Sequence, residues 1–189
     1  MDWLNDDFKR EFINEFSNKI SKYVETFNDC GIYDFSDIHK YEDDSQITQT
    51  RTACLAPYAA HAVFKVLKDL GIKVEKSDGY DHDIIVEDVK IEQKTFQGSE
   101  PSSGGFAKKV GNHLFIKYQV DNNRVNKLFI AIGNIRRCIN SKWSDSGSTT
   151  SYSKFQLSVN DVDKFKVICG SLRKKVKWCA WEMEDIEWN

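Results

Sequence analysis

A mixed β-sheet flanked by helices, of the α/β or α+β class, is the fold this sequence predicts. Three observations carry that expectation: two long amphipathic stretches come first, several short alternating segments follow, and a further helical spacing lies near the C-terminal end. The chain has 189 residues, 40% of them hydrophobic, which is enough to bury a sizeable core, and it reads as one domain over 1–189. Within it lie an acidic helical N-terminal element over 1–50, a core over 53–135 and a basic part over 136–189.

Phe8, Phe12, Ile13, Phe16, Ile20, Tyr23, Val24 and Phe27 recur at steps of three and four. This predicts a long amphipathic helix, with Asn5 or Asp6 as its cap and Gly31 as its stop. Its apolar stripe needs a partner surface, either the core or a second subunit. The stretch Tyr33 to Gln49 is polar and irregular and reads as a loop. A second helix is expected from about Ala53–Pro57, since proline is tolerated in a first turn, and it ends at Gly71. Asp83–Val86 and Val89–Phe96 read as strands around Glu87–Asp88, a turn without the favoured glycine. The segments 97–111 and 141–153, rich in Gly and Ser, read as loops. Between them, Leu114–Val120 and Leu128–Ile132 read as strands joined at Asp121–Asn123. Ser158 and Asp161 have capping-box spacing ahead of Val162, Phe165, Cys169 and Leu172, which predicts a helix. The tail from Val176 to Trp188 reads as a late strand.

Composition narrows the functional classes. Five cysteines, without a CxxC pair, argue against a disulfide framework or a cysteine-rich zinc site and for reduced thiols in a cytoplasm. His39, His61, His82 and His113 are scattered, without zinc spacing. No window has the ~18 apolar residues needed to span a bilayer, and the acidic, amphipathic first thirty residues are unlike a signal peptide. The expectation is a cytoplasmic protein with no membrane partner. The formal net charge of −2 hides an asymmetry: residues 1–50 carry 5 Lys/Arg against 12 Asp/Glu, whereas residues 101–180 carry 15 against 4. A basic surface suits a polyanion, although the opposite charges can also meet within the fold.

The informative stretch runs from Gly79 to Phe96. With a two-residue turn at Glu87–Asp88, Val86 faces Val89, Ile85 faces Lys90, Ile84 faces Ile91 and Asp83 faces Glu92. Directly opposed residues share a face of the sheet. Alternation adds Lys94 to that face, beside Asp81, while Ile84 and Ile91 point into a core. A turn one residue longer would shift the pairing and separate Asp83 from Glu92. Two close carboxylates repel unless a cation sits between them, and hard oxygen donors suit Mg²⁺. Such an ion polarises a phosphodiester and activates water, and Lys94 can offset the charge that develops. The same pattern also describes a hairpin carrying a cross-strand ion pair.

Asp83-Ile-Ile-Val and Val-Lys-Ile-Glu92-Gln-Lys94, preceded by a helix, resemble the PD-(D/E)XK nuclease superfamily over about residues 57–96, and its small type II restriction endonucleases in particular. The resemblance implies a restriction-endonuclease-like core. It also implies catalytic roles for Asp83, Glu92 and Lys94, with Mg²⁺ held by Asp83 and Glu92. His82 stands where the family's pattern has proline, and Asp81 is a rival metal ligand.

Lys108 and Lys109 follow the proposed catalytic strand at the end of a Gly/Ser-rich loop. Together with Arg136, Arg137, Lys142 and Lys154 they are the candidate DNA-binding residues. The functional expectation is a sequence-specific, Mg²⁺-dependent endonuclease for double-stranded DNA, acting as a homodimer so that two active sites cut the two strands of a symmetric site. The alternatives are a repair or junction-resolving nuclease of the same superfamily, and a non-catalytic nucleic-acid-binding protein in which the Asp/Glu/Lys cluster is structural.

Overall fold

Helix α1 (Asp6–Asp29) begins where the side chain of Asn5 accepts the N–H of Phe8 at 3.0 Å, a cap that satisfies one otherwise unpaired donor of the first turn. The computed structural model describes residues 1–29, 44–77, 82–103, 110–121, 124–135, 142–145 and 153–188. Gly31, the expected stop of α1, lies outside them, as do the side chains of Val24 and Phe27. Phe8, Phe12, Phe16 and Ile20 are all buried, and Phe16 meets Tyr118 edge-on at 5.1 Å. The apolar stripe of α1 is therefore core, packed on the sheet.

The second helix, α2 (Asp44–Asp69), starts earlier than Ala53–Pro57, so Asp44–Gln49 is helix and not loop. Pro57 lies inside it. The proline removes one ladder hydrogen bond, but Leu55 and Ala59 on either side are buried, so packing anchors the helix across the break. The rest of the expected 33–49 loop lies outside the described residues. Among the described residues, no helix is long and apolar enough to cross a membrane.

The strands in chain order are β1 (Val74–Lys76), β2 (Ile84–Val86), β3 (Val89–Phe96), β4 (Ser102–Ser103), β5 (Asn112–Asp121), β6 (Arg124–Asn134), β7 (Lys142–Asp145), β8 (Ser153–Gln156), β9 (Phe165–Cys169), β10 (Ser171–Lys174), β11 (Cys179–Glu182) and β12 (Glu184–Asp185). Seven form one mixed sheet, ordered β1-β2-β3-β5-β6, with β9 and β12 both paired to the far edge of β6. Only β3 and β5 run parallel; the other pairs are antiparallel. The mixed α/β class is as expected. Within the C-terminal part, β9 and β12 pair with β6 and so extend the sheet of the core.

Strand alternation divides two apolar cores across this sheet. On one face Ile91, Leu114, Ile116 and Ile130 meet α1 and α2. On the other, Phe96, Phe115 and Phe129 meet a β layer that contributes Trp143, Phe155 and Trp181. Part of that layer lies in segments expected to be loops: β4 falls within 97–111 and β7 within 141–153, and with β8 they form a three-stranded sheet. The Ser- and Thr-rich flanks become strands because Trp143 and Phe155, paired in register, are pulled onto the aromatic face. Pairing between distant segments overrides local turn preference.

The helix expected after Ser158 is also corrected. Ser158 and Asp161 do close a turn, with the Asn160 N–H on Ser158 Oγ at 3.2 Å. Only Val162–Lys164 is helical, as a 3-10 turn, and Phe165–Cys169 then pairs with the open edge of β6. A bulge opposite Ile130–Ala131 lets Phe165 enter the aromatic core and Cys169 the helical one. Burial pushes the Cys169 thiol well above its ordinary range, so it is an inert packing group. The late strand in the tail is present as β11 and β12.

The tightest local constraint is the β2–β3 turn. Glu87 and Asp88 both have left-handed backbones, at φ 49° and 67°, a conformation costing roughly 1–2 kcal/mol for an L-residue. Neighbours hold it: the Glu87 N–H reaches Lys73 O at 3.0 Å, and Lys73 Nζ lies 2.8 Å from Asp88 Oδ1. Replacing Glu87-Asp88 by Asn-Gly, the pair suited to this turn, should raise stability by about 1 kcal/mol. Urea unfolding should show a higher midpoint at unchanged slope. A lower midpoint would mean that the turn is not the strained element described.

Candidate active site

The paired strands β2 and β3 have the register expected of a two-residue turn: Val86 with Val89, Ile85 with Lys90 and Ile84 with Ile91. Beyond Ile84 the regular ladder stops. The Asp83 N–H donates to Ile91 O at 3.1 Å, and Asp83 Oδ2 accepts the backbone N–H of Gln93 at 2.7 Å. Asp83 thus occupies the start of one strand while its carboxylate is clamped to the backbone of the next. That contact fixes it beside Glu92 in the chain, at the level expected from the sequence, and leaves Asp83 itself exposed.

Glu92 and Lys94 lie two residues apart on β3, hence on one face, and form an ion pair through Glu92 Oε1. Their face is the aromatic one, as Phe96 in the same alternation shows. Glu92 is only 3% exposed and the Lys94 side chain 13%. Taking both charges out of water is expensive, and their attraction repays it only with good geometry and further hydrogen bonds. A pair this buried is unlike the exposed cross-strand bridge that the sequence alone also allowed.

The parallel partner of Glu92 is His113, which is fully buried. Its Nδ1 lies 3.0 Å from Gly111 O, and its ring stacks on Phe115 and faces Trp143. In the sequence His113 is one of four scattered histidines. No local pattern could have placed it here, because the β3–β5 pairing joins segments separated by the whole 97–111 connection. His82, by contrast, is half-buried, and neither ring nitrogen has a hydrogen-bond partner among the described residues.

The remaining predicted residues divide by position. Asp81, the rival metal ligand, lies outside the described residues, as do Lys108, Lys109, Arg136 and Arg137. Lys142 and Lys154 belong to β7 and β8, not to a loop, and Lys154 is exposed.

Among the described residues, no group of three or more His, Cys, Asp or Glu gathers to hold a metal ion. Asp83 and Glu92 offer two carboxylates, each oriented by a donor: the Gln93 N–H for Asp83 and the Lys94 ammonium for Glu92. Two carboxylates with hard oxygen donors fit Mg²⁺, which keeps several waters and takes few protein ligands. They do not fit zinc, which favours nitrogen and sulfur donors in a closed set.

The burial of Glu92 sets a measurable expectation. Lys94→Met should destabilise the fold by roughly 3–5 kcal/mol, because it strands a buried carboxylate. The double replacement Glu92→Leu/Lys94→Met should recover most of that loss in chemical denaturation. A double variant as unstable as the single one would show that packing, not unpaired charge, causes the loss. Protein-family models, curated proteins and solved structures were all compared with the chain, and none matches it.

Proposed function

We propose that this chain is a Mg²⁺-dependent endonuclease for double-stranded DNA, with a core like that of type II restriction endonucleases. The observation that carries the reading is the β2–β3 register, which clamps the Asp83 carboxylate to the N–H of Gln93 beside a buried Glu92–Lys94 pair. The turn, the strand alternation and the Asp83 clamp converge on one small region. Such convergence is unneeded for stability, since a buried ion pair is usually no more stabilising than an apolar pair of the same volume.

In this reading Asp83 and Glu92 hold the metal ion through their carboxylates. A bound Mg²⁺ supplies a Lewis acid for the phosphodiester and a lowered pKa for its water. The remaining work falls to the chain. Glu92 fixes the Lys94 ammonium, so a preorganised cation faces the charge that builds on the phosphorus centre. The aromatic core behind Lys94 excludes water from that side and strengthens the interaction. The chain contributes one such site, so cutting both strands of a symmetric sequence takes two copies. Base reading is assigned to the segments 97–111 and 134–154.

The burial of Glu92 and Lys94 also favours a second reading, in which the pair is purely structural and the protein binds nucleic acid without cutting it. Digestion of two unrelated plasmids and a synthetic four-way junction separates the possibilities. The proposal predicts discrete fragments with identical end sequences from both plasmids, dependence on Mg²⁺ or Mn²⁺, and loss of cutting in EDTA. Asp83→Ala, Glu92→Ala and Lys94→Ala should each lower the rate by at least ~100-fold. Junction cleavage with intact linear duplex would instead identify a resolving nuclease. No cutting of any substrate would leave the structural pair.

A further inference from the structure

The strands β10 and β11 form a two-stranded antiparallel ribbon of their own, with Leu172 opposite Trp181 and Lys174 opposite Cys179. Its base is anchored: Trp181 is buried against Phe96 and Phe115, and its carbonyl accepts Lys117 Nζ at 3.1 Å. The Cys179 N–H donates to Leu157 O at 2.8 Å. Its tip is different. The Lys175 N–H meets Trp178 O at 3.1 Å, which leaves Val176 and Lys177 as a two-residue loop. Every residue from Arg173 to Lys177 is exposed, and Val176 is 91% exposed, the most of any large hydrophobic among the described residues.

Charge sets this tip apart. Arg173 is paired with Glu182 at 2.6 Å, while Lys174, Lys175 and Lys177 have no carboxylate within ion-pair distance among the described residues. Several other lysines of the described surface are ion-paired: Lys9 with Glu184, Lys65 with Asp69 and Glu15, Lys73 with Asp88, Lys127 with Asp185. Lys76 and Lys90 have no ion pair among the described residues either, but neither lies in a run of lysines. Three unmatched ammonium groups within four residues at the ribbon tip concentrate positive charge there, and an exposed valine among them adds apolar surface in water. A partner rich in negative charge relieves the first, and a groove wall relieves the second.

We propose that the β10–β11 ribbon is a nucleic-acid contact: it lies along a groove of duplex DNA, with Lys174, Lys175 and Lys177 on the flanking phosphates and Val176 against the sugars between them. A two-stranded ribbon fits a DNA groove, and apolar side chains at such tips pack into grooves. An anionic membrane shares the attraction for lysine, but stable attachment to a bilayer needs more buried apolar area than one valine offers. The inference rests on the reading of this chain as a protein acting on duplex DNA and names a surface for that contact. Its base shares the aromatic face of the sheet with Glu92 and Lys94.

The test is binding of the full chain to a fluorescein-labelled duplex, in EDTA so that nothing is cut, as a function of salt. Each lysine that displaces a counterion contributes about 0.9 to the slope of log affinity against log salt. The triple variant Lys174→Gln/Lys175→Gln/Lys177→Gln should lower that slope by about 2–3 and weaken binding at least ~10-fold, with unchanged thermal unfolding because these side chains are exposed. Val176→Ser should weaken binding while leaving the slope as in the wild type. A triple variant that binds with the wild-type slope overturns the inference, and so does a wild-type chain that does not bind duplex. So would ribbon-dependent binding to phosphatidylserine vesicles without duplex binding. Cleavage in Mg²⁺, assayed separately, then decides whether the nuclease reading fails with it: a cutting enzyme with a wild-type-like triple variant loses only the ribbon.

Discussion

Two residues in an uncomfortable backbone conformation set the geometry on which the candidate site depends. Glu87 and Asp88 form the tight turn that pairs Val86 with Val89, and every later pairing in the hairpin follows from it. Side chains alternate with a period of two, so a slip of one residue would exchange the faces of β3. Ile91 would then leave the helical core, and Glu92 and Lys94 would be driven into it. The apolar pattern makes that slip costly, and the contacts of Lys73 with the turn hold the short connection closed. The position of Asp83 beside Glu92 is thus a consequence of core packing several residues away.

The sheet separates two kinds of interior. The helical side is aliphatic and phenylalanine-rich, with α1 packed against β6 and β9 and its Phe16 meeting Tyr118 of β5. The other side is crowded with rings, where Phe115 contacts Phe155, Phe165 and Trp181. Glu92 and Lys94 sit on the ring-lined face, with His113 next to Glu92. A charged pair in such a place carries a desolvation cost and contributes little to stability. It does offer charges whose positions do not relax, and preorganised charge lets a protein favour a developing anion over its precursor.

Much of this was legible in the residues themselves because it is local. The stripe of α1, its Asn5 cap and the β2–β3 register follow from spacings within one turn or one hairpin, and with them came Asp83, Glu92 and Lys94. What was not legible depends on partners far along the chain. Val162, Phe165, Cys169 and Leu172 have a helix-like spacing, yet the segment satisfies the open edge of β6 and uses a bulge to bury Phe165 and Cys169 on opposite faces. Lys142 and Lys154 looked like loop residues because serine, threonine and glycine surround them; the partner strand and the aromatic face that make them strand residues are invisible locally. His113 reaches Glu92 only through a parallel pairing between strands distant in the chain. Pro57 misdirected the start of α2, because its missing N–H argues for a first turn while buried neighbours carry the helix past it.

The central claim is that Asp83 and Glu92 together hold a divalent cation. Its most direct test needs no substrate: titration of the protein with Mn²⁺ as a spin-active substitute for Mg²⁺, followed by electron paramagnetic resonance. The account predicts one bound Mn²⁺ per chain in the wild type and loss of that site in Asp83→Asn, an exposed position where the change leaves the fold intact. A wild-type chain that binds no Mn²⁺, or an Asp83→Asn chain that binds it as the wild type does, would contradict the account.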